Sequence, residues 1–395
     1  MQRHIVHCDL DTFFVSVERL LNSSLVGKPV LIGGSSGRGV VASCSYEARR
    51  FGVHSAMPMR LALRLCPEAV VVRGDHERYS KYSNLVTEII GEEVPLVEKA
   101  SIDEHYLDLT GMDRFFGCWK WARELRRRVI RETGLPISFG LSTNKTVSKI
   151  ATGEAKPSGE REVSGGTEKA FLAPLSIRKI PMVGEKSYTL LRNMGVHRIE
   201  TLQQMEAFTM RRVMGEHGVM IWRKANGEDD SPVLPFHAQK SMSKETTFQQ
   251  DTIDMQLLKR TLAGMVDRLA FDLRRTQKLT GCITLKIRYS NFDTHTRQVK
   301  VPYTNSDRAI TAQVMELFEK LYSRRMLIRL IGVRFSELIH GNYQVDLFSD
   351  TTEEIGLLEA MDRIRTRFGI EFIQRGICWP DGSRQRGGQH VTQFT

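Results

Sequence analysis

The sequence has no Cys-x-x-Cys pair. Its six cysteines (Cys8, Cys44, Cys66, Cys118, Cys282 and Cys378) are scattered along 395 residues. That spacing argues against a zinc site or a disulfide framework and fits a reducing, cytoplasmic setting. No apolar run is long enough to span a bilayer. No long apolar core follows the first charged residues, so neither a membrane partner nor a secretory leader is expected. There is no internal repeat. The glycine-rich stretch Gly33-Gly34-Ser35-Ser36-Gly37-Arg38-Gly39 lacks the Gly-Lys-Ser/Thr ending of a phosphate loop and reads as a flexible turn. Negative charge is also short: 57 Lys and Arg face 46 Asp and Glu, a net charge of +11. Such an excess points to a polyanion. The basic residues are spread over several segments rather than gathered on one amphipathic helix, which favours nucleic acid over a membrane surface.

Two short acidic runs stand out against this basic background: Asp9-Leu10-Asp11, and Asp103-Glu104 after Ser101-Ile102. Ile5-Val6-His7-Cys8 leads into the first as a strand, and Tyr106-Leu107-Asp108-Leu109 follows the second. Carboxylates beside buried strands need compensation. Hard divalent cations supply it, choosing carboxylate and carbonyl oxygens and leaving room for substrate phosphates. Asp9, Asp103 and Glu104, with the Leu10 carbonyl, are therefore candidate metal ligands, and phosphoryl or nucleotidyl transfer is the chemistry they suggest. The role of Asp11 stays open. Taken singly, each run reads equally well as a solvated strand end or a helix cap.

The length allows two to four domains. Residues 1–19 read as a strand and a helix start, and 20–75 as short strands between turns. Residues 76–164 alternate helix and strand, including a basic amphipathic helix over Phe116–Glu132. Residues 165–232 are mostly helical, and Ser231–Pro235 reads as a linker. Residues 240–338 follow a βαββαβ order, in which two helices bury one face of a four-stranded sheet. One helix is expected over Glu353–Phe368, and the polar end from Asp381 is expected to be disordered.

The acidic runs do not stand alone. Asp9-Leu10-Asp11-Thr12-Phe13-Phe14-Val15-Ser16-Val17-Glu18 is followed by Ser45-Tyr46-Glu47-Ala48-Arg49-Arg50-Phe51-Gly52-Val53, then by Ser101 to Asp108, then by Ala155-Lys156-Pro157-Ser158-Gly159. In order and spacing this set resembles the Y-family translesion DNA polymerases, most closely the bacterial DNA polymerase IV type. The likeness is strong over residues 1–165 and weaker to about 348.

That resemblance implies a multidomain α+β fold of right-hand type. The palm would be 1–19 with 76–164, the fingers 20–75, a helix-hairpin-helix thumb 165–232 and a little finger 240–340. A clamp-binding-like peptide at 341–349 and a C-terminal extension at 350–395 would follow. It also implies a distributive, low-fidelity DNA polymerase without 3′–5′ proofreading, using two Mg²⁺ ions with Mn²⁺ as an alternative. The protein would be a cytoplasmic, nucleoid-associated monomer that takes dNTPs and primer-template DNA. Phe13 and Phe14 align with residues that contact the nucleotide, Phe14 as the steric gate, with one ring of the pair expected to be core. Tyr46, Arg49 and Lys156 align with ligands of the triphosphate. Small residues Ser43, Cys44 and Ser45 would leave open space above the nascent base pair. Ser101 would shape the turn before the acids. His105 either tunes the metal site or points away from it.

Ile180-Pro181-Met182-Val183-Gly184-Glu185-Lys186 resembles a helix-hairpin-helix, whose backbone N–H groups, here near Gly184 and Lys186, grip a DNA phosphate. Met182 stands where the family often has glycine, so a plain helical turn is the alternative. In the last domain Ser241, Ser243, Lys244, Lys286, Arg288 and Arg334 are expected on the open sheet face or its edge, tracking a DNA backbone. Gln344, Asp346, Leu347 and Phe348 resemble a sliding-clamp peptide, or else pack under 353–368. The rival readings are a non-catalytic DNA-binding scaffold, a nucleotidyl cyclase, and a subunit active only within a mutagenesis complex.

Overall fold

Strand β1 (Ile5–Leu10) is buried along almost its whole length, as its apolar run predicts for a strand covered on both faces. The structure is a computed structural model that describes residues 2–34, 37–112, 117–236, 238–341 and 352–376. The chain divides into two units, Met1–His237 and Ala238–Thr395.

The first unit continues with β2 (Val30–Gly33), β3 (Val41–Cys44), β4 (Val70–Val72), β5 (Val97–Lys99), β6 (Glu104–Asp108), β7 (Ile137–Ser142) and β8 (Glu160–Glu162). They form a five-stranded sheet in the order β5-β6-β1-β7-β8 and a three-stranded sheet in the order β3-β2-β4. Alternation along β1 decides what each face carries. Val6, Cys8 and Leu10 enter the main core with Leu107, Phe139 and Leu141, against Val86 and Ile89 of the helix His76–Glu93 and Leu125 and Val129 of the helix Cys118–Thr133. Ile5, His7 and Asp9 face the other way, toward the helix Lys145–Ala155. Its Ser148 hydroxyl lies 2.7 Å from the Ile5 carbonyl, and its Thr152 hydroxyl 2.9 Å from the His7 carbonyl.

Gly140 makes that close seat possible. A Cβ there would lie 2.4 Å from the Ser148 carbonyl oxygen. Asn144 caps the helix by accepting from Val147 N at 3.0 Å. Residues 165–232 are helical as expected, with helices Glu168–Leu172, Glu185–Asn193, Ile199–Gln204 and Ala207–Ala225. The segment read as a linker behaves otherwise. Val233 is buried with Ile5 and Tyr106, and Leu234 N donates to Glu98 at 2.8 Å. Its apolar residues find a core before the unit ends at His237.

The second unit holds β9 (Ser241–Thr252), β10 (Lys278–Tyr289), β11 (Thr294–Thr304) and β12 (Ile328–His340), in the order β11-β10-β12-β9. Helices Met255–Arg275 and Asp307–Leu321 cover one face, and the expected βαββαβ order is present. The helix Thr352–Phe368 belongs to this unit. A buried charge cluster joins it to the two helices: Arg365 lies 3.5 Å from Asp307 and 3.7 Å from Asp267, and Arg274 bridges Asp307 and Asp362. Opposed charges at these positions are the natural solution for groups removed from water. Residues 377–395, including the expected disordered end, lie outside the described residues.

Candidate active site

The two acidic runs meet through strand pairing. Asp9 lies opposite Glu104 in the β1–β6 register, and Leu10 N donates to the Asp103 carbonyl at 3.0 Å. Asp9 and Glu104 thus share the face that looks toward the helix Lys145–Ala155. His105 pairs with Cys8 on the opposite face, fully buried, its Nε2 2.9 Å from the Thr87 hydroxyl. Of the two options for His105, it therefore points away from the acids. Burial pulls its pKa down to about 4, with Lys99 and His7 adding to the effect. Ser101 shapes the turn as expected: its hydroxyl donates to Asp103 at 2.6 Å and accepts from Glu104 N at 3.1 Å.

Cations already stand on these carboxylates. Lys149 reaches both oxygens of Glu104 at 2.6 and 2.7 Å. Lys156 contacts Asp9 and lies 4.0 Å from Asp11. His7 Nε2 approaches Glu104 to 4.0 Å. His7 and Lys149 together hold the Glu104 carboxyl down at about 2. Asp9 goes the other way, raised to about 6 by burial, with Asp103 and Glu104 adding to the rise and Lys156 opposing it. Among the described residues, no group of three or more His, Cys, Asp or Glu stands in a metal-holding arrangement. The reason is local: Asp9 and Glu104 are turned to their lysines and Asp103 to Ser101. The donor chemistry itself, three carboxylates and a backbone carbonyl on adjoining strand ends, is that of a hard-cation site.

Asp11, whose role the sequence left open, joins three distant segments. It is 1% exposed and accepts from Tyr46 Oη at 3.2 Å, Ser138 Oγ at 2.8 Å and Ser158 N at 2.7 Å. Tyr46 is thereby tied to the turn that begins at Lys156. Burial and Asp11 push the Tyr46 phenol well up, so it stays a protonated donor. Arg49 is exposed, with its guanidinium 5.0 Å from the centre of the Tyr46 ring. Thr12, at φ 43, takes the left-handed conformation that turns the chain from strand to helix between Asp11 and Phe13.

The two phenylalanines, both expected as nucleotide contacts, differ in burial. Phe13 is core, 3% exposed, so its ring is withdrawn from any nucleotide. Phe14 is half-buried and stacks on Tyr79 with centroids 4.3 Å apart. Tyr79 is fully buried and donates to Glu18 at 2.7 Å, a backing absent from the sequence reading. Ser43, Cys44 and Ser45 do not line open space. All three are buried, and Ser45 caps the helix Tyr46–Arg49. Their small size serves packing between β3 and that helix.

Gly184 precedes the helix Glu185–Asn193, and Lys186 is exposed. Met182 has φ 76, the left-handed conformation that glycine adopts most readily. In the second unit, register sorts the basic residues. Ser243 pairs with Arg334 and Ser241 with Ser336 on the open face, which Lys286 and Arg288 share. Lys244 pairs with Val333 and so faces the helices instead, beside Arg268. β9 is an edge strand, so Lys244 lies at the edge of the sheet, the other place expected for it. The open face also carries acids: Lys286 pairs with Glu245 at 2.9 Å and Lys300 with Glu337 at 3.2 Å. Gln344, Asp346, Leu347 and Phe348 lie outside the described residues.

Comparison with known proteins places this geometry. Residues 8–153 match the impB/mucB/samB family model, and 239–347 match the model of that family's C-terminal domain. The chain belongs to this family, the Y-family DNA polymerases. Its relatives narrow the likeness to one type. It is 36% identical over 379 residues to a DNA polymerase IV of Dehalococcoides mccartyi, covering 95% of this chain and 97% of the relative. It is 37% identical to a DNA polymerase IV of Halorhodospira halophila, covering 89% of this chain and 99% of the relative. A solved Y-family DNA polymerase chimera shares the fold, with a TM-score of 0.77 at 24% identity over 86% of this chain and all of that one.

Proposed function

We propose that the chain is a template-directed, low-fidelity DNA polymerase for translesion synthesis, adding dNTPs to a primer 3′-hydroxyl with release of pyrophosphate. The observation that carries the reading is the cross-strand pairing of Asp9 with Glu104 beside Asp103, within the family's motif set. Asp9, Asp103, Glu104 and the Leu10 carbonyl would hold two Mg²⁺ ions, with Mn²⁺ as the alternative. Bound there, such ions lower the pKa of an attacking hydroxyl and stabilise the leaving phosphate oxygen.

The chain's own groups do the rest. Lys156 is freed from Asp9 for a phosphate oxygen, and Arg49 offers its donor fork to the same triphosphate. Tyr46 donates beside them, held by Asp11. Phe14, backed by Tyr79, presents a flat ring that collides with a 2′-hydroxyl and so excludes ribonucleotides. Gly184 and Lys186 would grip the DNA backbone, and the open face with Ser241, Ser243, Lys286, Arg288 and Arg334 would track it. Lys244 would act from the edge strand. The segment 344–348 would dock a sliding clamp. In domain terms, 1–19 with 76–164 form the palm, 20–75 the fingers, 165–232 the thumb and 240–340 the little finger. Among the described residues no helix is long and apolar enough to cross a membrane.

Primer extension by the purified chain, on undamaged and abasic templates, tests the reading. Extension that requires a divalent cation and passes the abasic site is expected. Binding of primer-template without any extension would favour a scaffold and contradict the proposal.

A further inference from the structure

The helix Cys118–Thr133 is rich in arginine, and several of these arginines are taken up in ion pairs at the surface. Arg123 pairs with Glu160 at 2.6 Å, and Arg128 with Glu92, Glu93 and Glu132 at 2.5 to 2.9 Å. Arg126 does something different. Its Nε donates to the Ile137 carbonyl at 2.8 Å, while its Nη2 donates to the Ser158 carbonyl at 2.6 Å and the Ser158 hydroxyl at 2.9 Å. One guanidinium thus binds strand β7 to the turn that begins at Lys156.

That turn is under constraint. Ser158 has φ 49, a left-handed conformation that residues with a Cβ disfavour. Gly159 presses on the end of the preceding helix, since a Cβ there would lie 2.0 Å from the Ala155 carbonyl oxygen. Ser158 N donates to Asp11, and Gly159 N to the Ser138 hydroxyl at 3.2 Å. Of the side chains holding the turn, Arg126 comes from a helix, and it meets Ser158 at two atoms. Strained conformations persist where the surroundings over-determine them.

We propose that Arg126 is a positioning residue for the incoming nucleotide: by holding Ser158 it fixes the Lys156–Gly159 turn, and with it the place of the Lys156 ammonium. This rests on the reading of Lys156 as a triphosphate ligand. Arginine suits the task because its planar fork can serve two segments at once, whereas lysine offers a point charge on a flexible stem.

Single-nucleotide insertion kinetics on an undamaged primer-template test the proposal, using wild type, Arg126→Ala, Arg126→Lys, Lys156→Ala and the Ala double variant. Losing the charge-assisted bonds of Arg126 is expected to raise the KM for dNTP about ten-fold. The turnover number and the affinity for primer-template should stay within about two-fold. Arg126→Lys should recover part of the loss, and it serves as the reporter if the alanine variant does not fold. In the double variant the KM should match that of Lys156→Ala alone, because both changes disable one group. An unchanged KM in both Arg126 variants, with a raised KM in Lys156→Ala, would overturn the positioning role and leave Lys156 as a ligand. Multiplying effects in the double variant would overturn it too. An unchanged KM in Lys156→Ala would remove the reading of Lys156 itself, and the proposal with it.

Discussion

Asp11→Ala should be among the most damaging single changes in the first unit, although Asp11 is not assigned to the metal. The carboxylate accepts from Ser138 Oγ, Ser158 N and Tyr46 Oη, and is 1% exposed. A hydrogen bond to a charged acceptor contributes about 1.5–3 kcal/mol, and a buried donor left without a partner costs about as much. Ser138 is fully buried and the Ser158 amide partly so, whereas Tyr46 is half-exposed and can turn to water. Two strongly affected donors and one weakly affected one give a loss of about 3–5 kcal/mol, a large share of a domain's usual ~5–15 kcal/mol. Asp11→Asn keeps the shape and an acceptor oxygen but turns an NH₂ toward a donor, so it should lose about 1–3 kcal/mol. Urea denaturation of the full chain, followed by tryptophan fluorescence, is the assay. Trp119, Trp121 and Trp222 all lie in the first unit and report on it. Nucleotide KM, measured below the transition, should rise as well, since Asp11 ties Tyr46 to the Lys156 turn. A loss below about 1 kcal/mol with an unchanged KM would refute the idea that Asp11 organises the site.

Phe14→Ala should let ribonucleotides enter, with discrimination in insertion assays falling by more than about ten-fold, the range expected when a polar or steric check is lost. Stability should change by only about 1–2 kcal/mol, because the ring is half-buried and chiefly stacks on Tyr79. Gly140→Ala puts a Cβ 2.4 Å from the Ser148 carbonyl, so the helix bearing Lys149 must move, and thermal melting should reveal a loss of about 1–3 kcal/mol together with lower turnover. For His105 the sign is definite. Its folded pKa of about 4 lies below the unfolded value near 6.5, so its contribution is complete above about pH 6.5 and is lost as pH falls toward 4. At 1.36 kcal/mol per unit this amounts to about 3 kcal/mol, and His105→Gln should flatten the wild-type fall in stability over that window; an equally steep fall in the variant would show that other groups set the acid sensitivity.

What was legible in the sequence follows from range. Asp9, Asp103 and Glu104 could be read because each lies in a short local pattern of strand and acid. The βαββαβ order of 240–338 was legible because its elements announce themselves locally; Asp254 caps the helix Met255–Arg275, and its apolar residues repeat with helical period. Asp11 could not be assigned, because its partners Tyr46, Ser138 and Ser158 lie 35, 127 and 147 residues away. Tyr79 behind Phe14, Lys149 on Glu104 and Arg126 on Ser158 were missed for the same reason: a lone tyrosine or cation carries no local sign of its partner. A helix-to-turn arginine such as Arg126 reads in sequence only as basic charge.

Side and packing were set by contacts distant in the sequence. Lys244 sits on an edge strand whose pairing with β12 decides its face, and that pairing is set by residues some ninety positions away. Val233 sits among polar and proline residues that read as a linker, and only the tertiary structure shows its pocket beside Ile5 and Tyr106. The small residues Ser43 to Ser45 suggested room where the fold had used their size for close packing. Arg365, one of several arginines near the C-terminus, is buried where Asp267 and Asp307 from two other helices converge on it.

The most direct test of the central claim is primer extension with Mg²⁺ by wild type and by the Asp103→Ala, Glu104→Ala double variant, with primer-template affinity measured for both. The expected result is extension by the wild type alone at equal DNA affinity, which assigns the acids to the chemistry rather than to binding. Extension by the double variant at the wild-type rate would contradict the assignment, and the paired carboxylates of β1 and β6 would then need a structural explanation.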